Sequence, residues 1–549
     1  MPEYFVIFLA STTLAEKAHR VTMLAKSLRH MHNMDSIGLF AWQNRRGQII
    51  NFHGGLFRLS LERILFHSFY KMSLLKTYTL SSFLSLIAKS STIVTQLALL
   101  YVANQMLDKP AFGLFILAQT ITLTVTMTIS SPWFGLMLYR ITKFEEPEES
   151  AEAQEIASVF FWLSALTGFI FLLLVALAAA PLSAVMNKAG LELWLILLAI
   201  GIPFDTARIT LAHWHRARGD IKTLTFYQET FPNILRLLLL FTAYILLQTG
   251  FNAPYITLCG AWLAGSIIPL IALFIRRPFP FRLASKLLTK KDIAQGLHGI
   301  SAWLATEPSR SLDVILVGAL ASASATADYA TASRIARLLT LPKLMISQLA
   351  LPRLGRLAAK EGSASAAAEY ALVQYIPFVL TLGGIAVLML IGPFILSLFG
   401  EYQNAFPIMI LLGYAGLVAA AFGTGSGLLG IVGEAEKALQ GGLLGLVTMV
   451  ILGPLMAQVW QGEGMACAFI LSNFVSYFYY SLRLKRDHYI PFMPRSLWAA
   501  LFVVGFVTAC FIVTLINAYL AAFLLLATLC VQLALDRQWL TFWKGRSHE

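Results

Sequence analysis

Charge is what this chain has least of. Only 13% of its 549 residues are Asp, Glu, Lys or Arg, whereas 58% are hydrophobic, and the mean hydropathy is +0.72. A soluble domain is ordinarily about 45 to 50% apolar, so lipid has to be the main solvent. Cysteine is scarce as well: Cys259, Cys467, Cys510 and Cys530 all fall inside apolar stretches with no CxxC or metal-like spacing, and they read as small packing residues. There is no GxxxxGK phosphate loop, which argues against ATP-driven export by this chain alone. No cofactor and no catalytic residue is expected.

About fourteen apolar stretches run between Leu74 and Leu535. Estimated spans are 79–105, 111–139, 156–180, 190–211, 224–249, 253–275, 293–320, 326–350, 368–399, 404–430, 436–459, 464–483, 496–516 and 518–535. In lipid these must be helices, because no other open element satisfies its own backbone groups. The fold class expected is therefore an all-α polytopic membrane protein.

Basic residues set its orientation. Twenty-two Lys and Arg, from Arg140 to Arg546, fall on alternate gaps and the C-terminal tail, whereas the other gaps hold only Lys109 and Lys188. Cationic loops are held back on the cytoplasmic side during insertion, which places both termini in the cytoplasm, with the inner (plasma) membrane as the location. The same bias accounts for most of the +13 formal charge, so no nucleic-acid partner is inferred. Outer gaps are too short for an extracytoplasmic domain. A glycan polymerase or ligase, which would need carboxylates or His on a sizeable outer loop, is therefore disfavoured.

Five expected regions follow. Residues 1–71 carry half of the ten histidines and no span, and read as an upstream extension, not translated or disordered. Residues 72–275 hold six spans. A basic linker, 276–295, contains Pro278 and Pro280 and leads to six more over 296–490. Residues 491–549 add two helices and a tail. Two six-helix lobes plus two extra helices is a transporter plan. The Gly-rich run 423–433 is read as close helix packing.

Charges inside spans cost roughly 2.5 to 3.5 kcal/mol on insertion scales and so face a cavity or a partner. Lys89, Asp205, Arg208, Glu229 and Arg236 stand in the first six spans; Glu307, Arg310, Asp313, Asp328, Arg334 and Arg337 stand in the next two. Asp205 with Arg208, Glu307 with Arg310, and Arg334 with Arg337 are three apart and share a helical stripe. Pro203, Pro232 and Pro308 lie within three residues of these charges and free carbonyls nearby. Asp205 with Arg208, and Arg334 with Arg337, nearer the cytoplasmic side, read as ion pairs or headgroup-facing residues. Lys89, Arg236 and Arg310, deeper in their spans, are expected in a cavity that suits a phosphate or pyrophosphate. With Arg208 they make the expected substrate-binding set. Coupling to H+ or Na+ needs an acid that changes state, for which Glu229, Glu307 and Asp313 are candidates, Glu307 first because Pro308 opens the backbone beside it.

The order of features resembles a known family. DKPAFGLFILAQ, Asp108 to Gln119, resembles the turn into the second helix of polysaccharide flippases in the multidrug/oligosaccharidyl-lipid/polysaccharide (MOP) exporter superfamily. Asp313 to Gly318, then Tyr329, Ala332, Arg334, Leu341 and Pro342, resemble its seventh and eighth helices, followed by Pro352 to Leu357. Leu398 to Gly400, Tyr402 and Ala405 match its turn before helix ten. Ala327 stands where the family often has Gly, and Asp328 beside it is unusual. The resemblance covers roughly 76–490 and implies a flippase that moves an undecaprenyl-diphosphate-linked glycan to the periplasmic leaflet by alternating access, for surface polysaccharide biosynthesis. It implies a monomeric transport unit that associates with polysaccharide polymerase or export machinery. A drug or cation antiporter of the same superfamily is the alternative, disfavoured by the excess of cations.

Overall fold

Helices are the sole regular elements among the described residues. The computed structural model describes residues 80–141, 151–217, 220–249, 253–276, 311–360, 363–488, 495–512 and 517–546, with Lys290 and Ala294 isolated between them. The extension expected over 1–71 and nearly all of the linker 276–295 lie outside these residues.

The first half comprises α1 Leu80–Met106, α2 Lys109–Ile141, α3 Ala151–Val185, α4 Leu191–Ala199, α5 Ile202–Ala217, α6 Ile221–Thr225, a π turn Phe226–Thr230, α7 Phe231–Gln248 and α8 Pro254–Arg276. The second half comprises α9 Leu312–Leu320, α10 Ala323–Ala336, a 3-10 turn Arg337–Thr340, α11 Leu341–Lys360, α12 Ser363–Leu398, α13 Ala405–Phe422, α14 Gly425–Ile431 and α15 Ala435–His488. Two more follow, α16 Arg495–Ile512 and α17 Ala518–Arg546. From Tyr78 onward these elements form one unit.

Seven described helices are long and apolar enough to cross a membrane, and eight if the pair α4 and α5, bent by 40°, counts as one. The bend falls at Ile200 and Gly201, just before Pro203, which lacks an N–H to continue the ladder. Large apolar side chains such as Leu177, Phe394, Val459 and Phe506 are exposed on the outside, where acyl chains are the solvent they fit. The spans expected over 436–459 and 464–483 fall within α15, whose backbone leaves helical geometry at Trp460 and Gln461. The two arms pack back on each other, with Ser472 Oγ donating to Gly445 O at 2.7 Å. The Gly-rich run both packs and breaks: Gly423, at φ 72°, ends α13, a conformation open to Gly without strain.

Packing differs between the two ends of the helices. At the end carrying the Lys109 turn, one apolar core joins both halves: Leu100, Phe112, Phe115 and Trp194 from the first, Val317, Tyr329, Phe399 and Tyr402 from the second. At the end carrying the basic loops each half has its own core. Trp133, Ile141, Phe160, Trp214 and Leu273 cluster in the first half, and Leu354, Tyr370, Leu428 and Leu484 in the second. The last two helices dock on the second half, where Tyr414 on α13 donates to Leu501 O at 3.1 Å.

Candidate functional site

A cavity of about 470 Å³ lies between the halves. The first half lines it with α1 (Gln96), α2 (Gln119, Thr120, Thr122, Thr126), α5 (Asp205, Arg208), the π turn (Gln228, Glu229), α7 (Asn233, Arg236) and α8 (Trp262). The second half contributes Ser311, Val314, Ala330, Arg334, Arg337 and Thr340. Among the described lining residues, four arginines face two acids, an excess of two positive charges.

Local sequence explains how Arg208 is held. Phe231 gives its N–H to Phe226 O, five residues back, so Tyr227 O is passed over. Pro232 has no N–H to give to Gln228 O. Both carbonyls are left without helical donors, and Arg208 Nη1 donates to them at 2.8 and 2.9 Å. Its Nη2 and Nε donate to Asp205 Oδ1 at 2.6 and 3.2 Å. A buried backbone carbonyl without a donor is costly in lipid, so this guanidinium makes the π turn tenable. Asn233 adds a bond from Nδ2 to Glu229 O at 2.8 Å.

Arg236 sits in a cradle built by α8. Its guanidinium carbon lies 4.4 Å from the Trp262 ring centroid, within the range of a cation–π contact. Nη2 donates to Ser266 Oγ at 3.0 Å, and that hydroxyl donates to Asp205 Oδ2 at 2.9 Å. Asp205 Oδ2 is 3.6 Å from the same nitrogen. Gly265 supplies the space: a Cβ there would come within 2.4 Å of the Arg236 side chain. Asp205 is thus one carboxylate shared by two arginines.

The second half presents its cation differently. Arg334 Nη2 donates to Gln119 Oε1 at 2.6 Å, across the interface between the halves. Among the described residues its hydrogen-bond partner is this neutral amide, with no carboxylate in an ion pair. Asp313 is off the cavity wall and buried at 1% exposure. Its Oδ2 accepts from Tyr329 Oη at 3.2 Å, and its Oδ1 has no hydrogen-bond partner among the described residues.

Of the residues singled out in the sequence, the structure brings Arg208, Glu229 and Arg236 to one cavity. Glu307 and Arg310 lie outside the described residues, and so does the side chain of Lys89, whose backbone belongs to α1. The ion pair expected between Asp205 and Arg208 is present at 2.6 Å, and it lines the cavity together with Arg334 and Arg337, which the sequence reads as paired or headgroup-facing. Their shared stripe positions carried the signal, but spacing within one helix says nothing of which helix lies opposite. Gln119 was missed as a partner because it carries no charge.

Comparison with known proteins agrees with this geometry. The fold is all-helical and multi-span, and it resembles that of solved transporters of the MOP superfamily. The lipid II flippase MurJ, in an inward closed conformation, superposes with a TM-score of 0.63 at 11% identity, over 84% of this chain and 100% of that one. A multidrug resistance MATE family transporter of the MOP superfamily, inward-facing, gives 0.61 at 17%, over 72% and 94%. A MOP superfamily transporter from Pyrococcus furiosus, with a binding pocket of reversed polarity, gives 0.54 at 16%, over 73% and 93%. Residues 106–404 match the family described as "Polysaccharide biosynthesis protein", and the chain belongs to that family. No curated protein matches it in sequence.

Proposed function

We propose that the chain is a flippase that carries a lipid-diphosphate-linked oligosaccharide from the cytoplasmic to the outer leaflet by alternating access. The observation that carries this reading is the cavity with surplus arginines between two halves that share a core at one end only. Guanidinium groups suit a diphosphate because their planar donors match its oxygens in pairs. Neutral Gln96, Gln119, Asn233 and the threonines of α2 leave a wetted wall for sugar hydroxyls, while the prenyl tail stays in lipid.

Within this reading the chain forms fourteen spans in two six-helix lobes, 72–275 and 296–490, with two helices appended over 491–549. Both termini are cytoplasmic in the inner membrane. Arg236 and Arg334 contact the diphosphate; Arg208 keeps the π turn and Asp205 in register beneath them. Lys89 and Arg310, picked out by their depth in the sequence, are proposed as further substrate-binding cations. For ion coupling, Asp313 is supported by its buried, unpartnered oxygen, with Glu229 on the cavity wall and Glu307 as further acids.

The test is a strain lacking the gene, assayed for surface polysaccharide and for lipid-linked units retained inside. Wild-type protein should restore display, whereas Arg236→Ala with Arg334→Ala should leave units accumulated with the protein in the membrane. Normal display from the double variant would reject the site.

A further inference from the structure

The two lysines that break the basic pattern, Lys109 and Lys188, both cross from one half of the chain to the other. Lys109 Nζ is 2.9 Å from Asp328 Oδ1 on α10, donates to Glu401 O at 2.6 Å and lies 4.7 Å from the Tyr402 ring centroid. Lys188, in the turn between α3 and α4, donates from Nζ to Ala321 O, the carbonyl that follows α9. Lys188 holds the turn between α9 and α10, and Lys109 holds α10 itself together with the turn between α12 and α13. Beside them α2 and α10 meet backbone to backbone, for a Cβ at Gly113 would fall 2.0 Å from Ala323 O.

We propose that Lys109 with Asp328, seconded by Lys188, is the reversible latch that keeps the outer side shut and that opens once per transport cycle. This rests on the alternating-access reading above. Lys109 has 24% of its side chain exposed and Asp328 has 8%. A pair at this depth gains from low dielectric while closed, and both partners recover hydration when the halves part, which offsets the loss of the contact. An apolar contact of the same size gives no such return from water. Asp328, which departs from the family pattern, has its role as the acceptor of the latch.

The test reads opening by labelling and not by transport, so its failure is distinct from failure of the flippase reading. In a chain with the four cysteines replaced by serine, Ala330→Cys places one thiol on the cavity wall at a buried position. Intact cells are treated with a membrane-impermeant maleimide from outside, and labelling is normalised to protein in the membrane. Lys109→Met should raise labelling several-fold, Asp328→Asn less, and the double variant no further than Lys109→Met, because one contact is removed twice. Lys188→Met should raise it independently. Labelling unchanged in all the single variants, or effects of Lys109→Met and Asp328→Asn that add, would overturn the latch. Raised labelling from a protein that moves no lipid-linked glycan would uphold the latch and reject the flippase.

Discussion

The two ends of the helical bundle are held by different physics. Near the Lys109 turn the halves share one core and cross-links of defined geometry: Lys109 to Asp328, and Asn104 Nδ2 to Phe399 O at 2.6 Å. Near the basic loops each half keeps a separate core, and polar groups face a cavity. Between helices in lipid the hydrophobic effect contributes little, so small residues and hydrogen bonds decide where helices stay together. Contacts concentrated at one end and polar groups at the other are the arrangement that the proposed alternating access requires, with two packed bodies pivoting about the cavity.

The comparison can be broken at either end. The largest effect is expected from Arg236→Ala, which removes a cavity cation and leaves Asp205 with Arg208 and the Ser266 hydroxyl; surface glycan should be lost while membrane levels persist. Gly113→Val comes next. Its added atoms would collide with the Ala323 backbone, so the closed end should be propped apart, seen as heavy outside labelling of Ala330→Cys and lost display. Arg208→Ala should leave two buried carbonyls without donors, at about 1–3 kcal/mol each, read as a clear fall in the melting temperature of the detergent-purified protein. Gly265→Ala should displace Arg236 and weaken display with less loss of stability than Arg208→Ala. The smallest effect belongs to Ser266→Ala, about 1 kcal/mol, because Arg236 keeps its Trp262 stack and its approach to Asp205.

The helical plan was legible because lipid imposes it: apolar runs of spanning length have one backbone solution, and α1, α2 and α8 begin and end within two residues of expectation, whereas α3 runs five residues further at each end. Breaks were legible in part. Pro203 announced the bend between α4 and α5, and Pro232 marked the place of the π turn, although the five-residue bond itself depends on how Phe231 meets Phe226. The site was half legible. Arg236 could be placed in a cavity from its depth alone. The pairing of Arg334 with Gln119, and of Lys109 with Asp328, joins residues more than 200 positions apart, and only the packed halves bring them together. Lys109 and Lys188 stood out beforehand as exceptions to the charge pattern, yet periodicity within a helix names no partner in another.

The central claim is that the cavity arginines carry a diphosphate-linked glycan across the bilayer. Purified protein in liposomes, given a fluorescent polyprenyl-diphosphate oligosaccharide, tests it most directly by the rate at which the glycan becomes reachable from the opposite face. The account predicts rapid exposure with the wild type and the rate of protein-free liposomes with Arg236→Ala and Arg334→Ala combined. Equal rates from the wild type and that double variant would contradict it.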